Sequence, residues 1–271
     1  MDDGTICPIE SIEAVQNELM DNMYIANVMN RIRELQSPSE ADRTRWLWEL
    51  LQNAQDSIKP DEKVNAKITV YKNNDVTFEH TGGIFTGKAM CGLLYKYSEG
   101  KGNEESTGRF GTGFMTTLTL SEIIEVETNI YQDINSQKVT GFRVTLYRNG
   151  TEKEELKEGL RNMRRSFKKV DPYIDFTTRF KYQNSNEEAI KLGHKSFMNC
   201  GAQTMLFATK VQNFVFNYKD EIYSIERGNA EKINDSLSIQ SFTVIGESKK
   251  YDRKFILISI REPNEIISKK Y

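Results

Sequence analysis

Apolar positions recur at helical spacing through residues 9–35, and again from about residue 40 to residue 58. Such a pattern predicts two amphipathic helices, each with one face turned to a core. For the second helix, Ser37 serves as N-cap, Pro38 as the first helical residue and Glu40 as the partner closing a capping box. Pro60 sets its end, because a proline and the residue before it resist helical geometry.

The period then changes to alternation. Residues 66–71 and 76–80 read as short strands joined through Asn73, Asn74 and Asp75, a hairpin-type turn. A glycine-containing stretch, a helix over about residues 88–97 and a polar loop over residues 98–107 follow, and behind them a second glycine cluster leads into another short helix. Strands are expected at about residues 123–128, 141–147 and 175–182, with a charged helix over residues 152–169 between the last two. A helix from about residue 187 to residue 198 leads through more helical sequence to a strand near Phe214. Residues 222–225, 239–245 and 254–260 then read as successive antiparallel strands.

This order predicts an α+β protein in three parts: an N-terminal helical segment over residues 1–36, a main domain over residues 37–220, and an antiparallel β extension over residues 221–271. The extension reads as an appended unit or the start of a following domain, and the abrupt end at Tyr271 points to a longer parent protein.

Composition narrows the function classes. With 38% hydrophobic and 28% charged residues in 271, the chain can bury a sizeable core in one or two domains. Its 37 Lys and Arg nearly balance 39 Asp and Glu, so no strong attraction to nucleic acid or an anionic membrane is expected. The stripe Arg161, Arg164, Arg165, Lys168 and Lys169 follows Glu152, Glu154, Glu155 and Glu158, and reads as a solvated helix rather than a nucleic-acid surface. No apolar run reaches the roughly 20 residues that span a bilayer, and the first residues lack the features of a signal peptide, so a cytoplasmic protein with no membrane partner is expected. Cys7, Cys91 and Cys200 are too scattered for a disulfide framework, and with only His80 and His194 beside them a zinc site is not expected.

The second helix carries candidate chemistry. Glu49, Asn53 and Asp56 stand at i, i+4 and i+7, within about 60° of one another around the helix, while Leu47, Leu50, Leu51, Ala54 and Ile58 fall on the other side. The apolar face can pack while the polar face lines a cavity. The Asn53 side-chain oxygen suits magnesium, which takes one or two protein oxygens beside phosphate oxygens. Glu49 could accept a proton from the water that attacks a terminal phosphate, with Arg45 one turn before it holding it ionised. The alternative for these residues is a solvated helix flank.

The second glycine cluster, from Thr107 to Phe114, spaces Gly108, Gly111 and Gly113 as G-x-x-G-x-G ahead of a helical run. Backbone N–H groups at such a helix start can point at phosphate oxygens. The spacing is the reverse of the Rossmann fingerprint. The first cluster contains Gly82, Gly87 and Lys88 at P-loop spacing, but Ala89 stands where a magnesium-binding hydroxyl belongs, so that match reads as accidental. The segment reads instead as a strand end and glycine turn that could wall an adenine pocket.

Glu49 to Ser57 and Gly108 to Phe114, in this order, resemble the Bergerat-fold ATPases of the GHKL class, which include gyrase B subunits, ninety-kilodalton heat-shock chaperones, histidine kinases and mismatch-repair ATPases. The chain is most similar to the chaperone and sacsin-like branch, over about residues 43–216. The resemblance implies a two-layer α/β sandwich with a mixed, mostly antiparallel sheet, ATP and Mg2+ between helices and sheet, and a lid over about residues 86–107. It implies that Glu49 is the general base, Asn53 the magnesium ligand and Asp56 the residue closing the motif. Gly108, Arg109, Phe110, Gly111, Thr112 and Gly113 would form the phosphate loop, with Phe114 the aromatic residue after them.

The family's adenine-binding aspartate is replaced here by His80, followed by Thr81 and Gly82; a neutral imidazole nitrogen could still accept from the adenine amino group. The other reading of His80 is a histidine closing a strand. A later threonine near the base matches Thr177 or Thr178, and alternation favours Thr178. Lys101, in the lid, would meet the terminal phosphate. The resemblance further implies slow turnover gated by the lid and an ATP-dependent homodimer, with the residues before Ser37 as candidates for exchange, in a chaperone-like or defence-type protein. A non-hydrolysing nucleotide sensor with output through the β extension is the alternative. A histidine protein kinase is rejected, since neither histidine precedes the ATP domain on a dimerisation helix, and a topoisomerase subunit would need a transducer region.

Overall fold

The computed structural model of the protein describes residues 8–95, 113–132, 138–234, 237–246 and 249–258. Helices Pro8–Glu34 (α1) and Glu40–Asp56 (α2) precede strands Val64–Val70 (β1) and Val76–His80 (β2). Helix Gly87–Tyr95 (α3) and the short 3-10 helix Phe114–Thr119 lead to strands Ile123–Tyr131 (β3) and Val139–Tyr147 (β4). Helix Lys153–Arg165 (α4), strands Lys168–Val170 (β5) and Thr178–Tyr182 (β6) and helix Glu187–Phe207 (α5) follow. Strands Val211–Tyr218 (β7), Glu221–Asn234 (β8), Leu237–Gly246 (β9) and Lys249–Ile258 (β10) complete the order.

All ten strands join one open sheet in the order β10-β9-β8-β7-β1-β2-β6-β3-β4-β5. Among the strands of the described residues, only β1 and β7 pair in parallel; the other neighbours are antiparallel. Period-2 alternation separates two faces. On one, Ile68, Phe78, Phe180, Val126 and Val144 lie side by side across five strands, and all are buried in the core shared with the helices. On the other, the next row reads Lys67, Glu79, Arg179, Glu127 and Arg143, alternating in sign and joined by ion pairs at each step. The arrangement is mixed α and β, compatible with the two-layer α+β sandwich expected from the sequence.

The β extension beyond Glu221 continues this sheet. Phe214 pairs with Ile225 and Phe216 with Tyr223, and Tyr223, Ile225, Phe242 and Val244 share the core of the rest. At the other edge, the charged helix stops at Arg165 instead of running to residue 169. Lys168, Lys169 and Val170 pair with β4 as an edge strand, because free backbone groups along β4 offer a ladder that local helix propensity does not outweigh.

α2 is capped two residues later than expected. Ser39, not Ser37, accepts from the Asp42 N–H (3.2 Å), and the Asp42 carboxylate accepts in return from the Ser39 N–H (3.0 Å). Two overlapping boxes compete in Ser37-Pro38-Ser39-Glu40-Ala41-Asp42, and the one formed leaves Pro38 outside the helix, where its fixed φ suits an extended entry.

Three contacts hold α2 in place over the sheet. The Trp46 indole N–H donates to the Ala189 carbonyl of α5 (3.2 Å), and Gly193 admits the ring: a Cβ there would lie 2.5 Å from Trp46 Cζ2. At the far end the Gln55 side-chain oxygen accepts from the Lys210 N–H (3.1 Å), while Lys210 Nζ donates to the Ile58 carbonyl (2.8 Å). α1 adds Tyr24, Ile25 and Val28 to the same core, and Arg164 of α4 donates to Asp21 of α1 and to the Tyr95 hydroxyl of α3. Among the described residues no helix is long and apolar enough to cross a membrane.

Candidate functional site

Trp46, Leu47, Leu50, Leu51 and Ala54 bury the inner face of α2, so Glu49, Asn53 and Asp56 are carried on its flank, each partly exposed. The Glu49 side chain is 17% exposed and its Oε1 accepts from Arg45 Nε at 2.8 Å, while the arginine is 58% exposed. Oε2 faces Gly113: a side chain built on that glycine would collide with it. The last glycine of the second cluster thus meets the carboxylate of the second helix. Phe114 anchors this approach from below, buried with its ring 5.2 Å from that of Phe180.

Two turns along the helix, Asp56 is half-buried and its Oδ2 has no hydrogen-bond partner. Burial raises its pKa, against the opposing pull of the Lys210 charge and a hydrogen bond from Gln52. Ser57 follows and ties the helix to the first glycine turn. Its hydroxyl donates to the Ala54 carbonyl (2.7 Å) and accepts from the Gly83 N–H (3.0 Å). A Cβ at either Gly82 or Gly83 would strike Ser57, so both must be glycine for the turn to come this close.

The inward row at the end of the sheet departs from the apolar pattern. Ala66, His80, Thr178 and Thr128 stand side by side on β1, β2, β6 and β3, and all are buried. His80 Nδ1 accepts from the Gly82 N–H at 3.0 Å, and burial lowers the pKa of the ring to about 4. The Thr128 and Thr178 hydroxyls are 2.7 Å apart, with the Thr177 carbonyl 3.2 Å from Thr128. These buried polar side chains share the face of the sheet that carries the core, and His80 adjoins Ser57 through Gly82.

The expectation that a neutral His80 could accept from an adenine amino group is corrected here. Nδ1 is already the acceptor for Gly82, so in the neutral ring the proton sits on Nε2, which can only donate. Thr178 is the buried one of the two candidate threonines, and Thr177 is partly exposed. Thr81 does not join the cluster: it is exposed and its hydroxyl accepts from the Asn65 N–H (3.1 Å). In the segment with P-loop-like spacing, Phe85 exchanges backbone hydrogen bonds with Asn129 and Tyr131, and Gly87 begins α3. Lys101, Gly108, Arg109, Phe110, Gly111 and Thr112 lie outside the described residues, as does most of the expected lid.

Ser57 and Thr128 are the members of the site that sequence reasoning missed. Ser57 carries a readable signal, a hydroxyl just past a helix end; Thr128 has none beyond its inward position on a strand. No three His, Cys, Asp or Glu side chains among the described residues group as a metal site. A cavity of about 410 Å3 lined in part by Tyr71, Asp75, Lys181 and Asn184 contains none of these side chains. Comparison of the sequence with protein-family models and with curated proteins finds no match.

Proposed function

We propose that the chain is a Bergerat-type domain of the GHKL class that binds a purine nucleoside triphosphate with Mg2+, hydrolyses it slowly, and acts as a lid-gated conformational switch. ATP is the nucleotide the resemblance implies. The observation that supports this most is the approach of Gly113 to the Glu49 carboxylate, which joins two motifs distant in the chain into one cleft.

In this reading the residues divide the work along α2. Glu49 takes the proton of the attacking water, with Arg45 orienting the carboxylate. Asn53, one turn on and partly exposed, offers a side-chain oxygen to the metal, and the absence of a side chain at Gly113 leaves room for phosphate beside Glu49. Mg2+, when bound, neutralises phosphate charge. Asp56, with one oxygen unpaired, and the His80–Thr178 row lie toward the base.

A homodimer and a cytoplasmic location belong to the same proposal. Val15, Leu19 and Met23 are 55%, 58% and 61% exposed at helical spacing on α1, an apolar stripe outside the core that suits contact with a second copy.

Glu49→Ala tests the enzyme against the sensor. The variant should retain nucleotide binding and lose hydrolysis; a wild type that binds without hydrolysing would leave the non-hydrolysing module, and a rate unchanged in the variant would remove the general-base assignment. Calorimetry on Asn53→Ala with and without magnesium should show that the metal no longer strengthens binding, and a magnesium effect equal to that of the wild type would remove the metal assignment.

A further inference from the structure

His80 closes β2 and is only 4% exposed. Its tautomer is set from one side: the Gly82 N–H points at Nδ1, and the approach is so close that a side chain at Gly82 would strike Ser57 and come within 2.7 Å of Nδ1. A buried ring whose pKa has fallen to about 4 is neutral at pH 7 and holds one proton, which Nδ1 cannot carry while accepting. Nε2–H is thus the one polar ring atom left for a ligand. The flanking residues on this row, Ala66 and Thr178, carry no carboxylate that could reverse the polarity.

We propose that His80 gives the base subsite a hydrogen-bond donor, which reads an acceptor at C6 of a purine, so that 6-oxopurine nucleoside triphosphates bind at least as tightly as ATP. This rests on the nucleotide reading above and deepens it. Adenine carries an amino group at C6, so a donor would face a donor; a 6-oxopurine carries a carbonyl oxygen there and satisfies Nε2–H. One buried hydrogen-bonding group left unmatched weakens binding by roughly tenfold.

The test is calorimetric titration of the whole chain with ATP and with ITP, which differ only in the C6 substituent and the N1 proton, both with magnesium. ITP should bind as tightly as ATP or more tightly, and His80→Asp, which restores an acceptor, should turn the preference to ATP by roughly tenfold. A wild-type preference for ATP overturns the base assignment and leaves the nucleotide reading standing; no binding of either nucleotide removes both. Because a buried carboxylate can itself unfold the sheet, two further measurements keep the proposal testable. His80→Asn, whose amide can turn either way, should shift the ratio towards ATP, and an unmoved ratio counts against a role for His80. Long-range proton–nitrogen NMR of the wild-type ring at pH 7 should show Nε2 protonated and Nδ1 bare, and the reverse tautomer overturns the proposal.

Discussion

Gly113 lies so close to Glu49 that a Cβ at residue 113 would strike the carboxylate. The glycine has ordinary right-handed helical dihedrals (φ −66°, ψ −43°), so alanine there meets no backbone strain and only the clash remains. The atom struck is the end of a flexible side chain, which can swing away at small cost to the fold. Gly113→Ala should therefore melt within a few degrees of the wild type, yet hydrolyse nucleotide at least tenfold more slowly because Glu49 is displaced. Steady-state hydrolysis beside a thermal melt checks this, and an unaltered rate would separate Gly113 from the chemistry.

Asp56 makes stability depend on pH. Its folded pKa is raised above the ordinary 3.8 mainly by burial. A carboxyl raised in the folded state weakens the fold as pH climbs from the unfolded value through the folded one, and the penalty is fully present above that interval. Asp56→Asn removes it. The variant should melt higher than the wild type at pH 7, and the gap should close as pH falls towards 3.8. A gap that persists or grows in acid would contradict burial as the cause.

The charged face of the sheet should be a stabilising network rather than a solvated surface. Arg179 Nε donates to Glu79 at 2.5 Å and Nη1 to Glu127 at 3.2 Å, while its guanidinium lies 3.9 Å from the centre of the Phe176 ring. The Glu127 side chain is 7% exposed, so removing the arginine takes a partner from two carboxylates with little water to replace it, leaving Lys67 to Glu79 and Lys181 and Arg143 to Glu127. Arg179→Met should cost about 1–3 kcal/mol, lowering the melting temperature by roughly 2–10 °C. A double-mutant cycle with Glu127→Gln measures the coupling, and a value near zero would reduce the ladder to ornament on the surface.

The helical period of α2 is a local property of the chain, so the shared flank of Glu49, Asn53 and Asp56 could be read from spacing alone, as could the inward turn of Thr178 from the alternation of a strand. The same holds for the hairpin between β1 and β2, where Asn74 takes φ 62° as turn chemistry requires. What spacing cannot decide is a choice between equal local options. Ser37 and Ser39 both head a capping box, and Lys168 to Val170 fits a helix end as well as an edge strand; the fold takes Ser39 as the cap and pairs the other segment with β4.

The chain by itself determined which residues face the same way along each element, because 3.6-residue and two-residue periods act between near neighbours. Only the tertiary structure decided which elements meet: Gly113 against Glu49, Ser57 against Gly83, Thr128 beside Thr178. It also decided which nitrogen of His80 bears the proton, since that depends on a backbone N–H brought to one side of the ring by a turn packed on a helix. Such contacts arise from burying a common core, a sum over many residues that no single segment records.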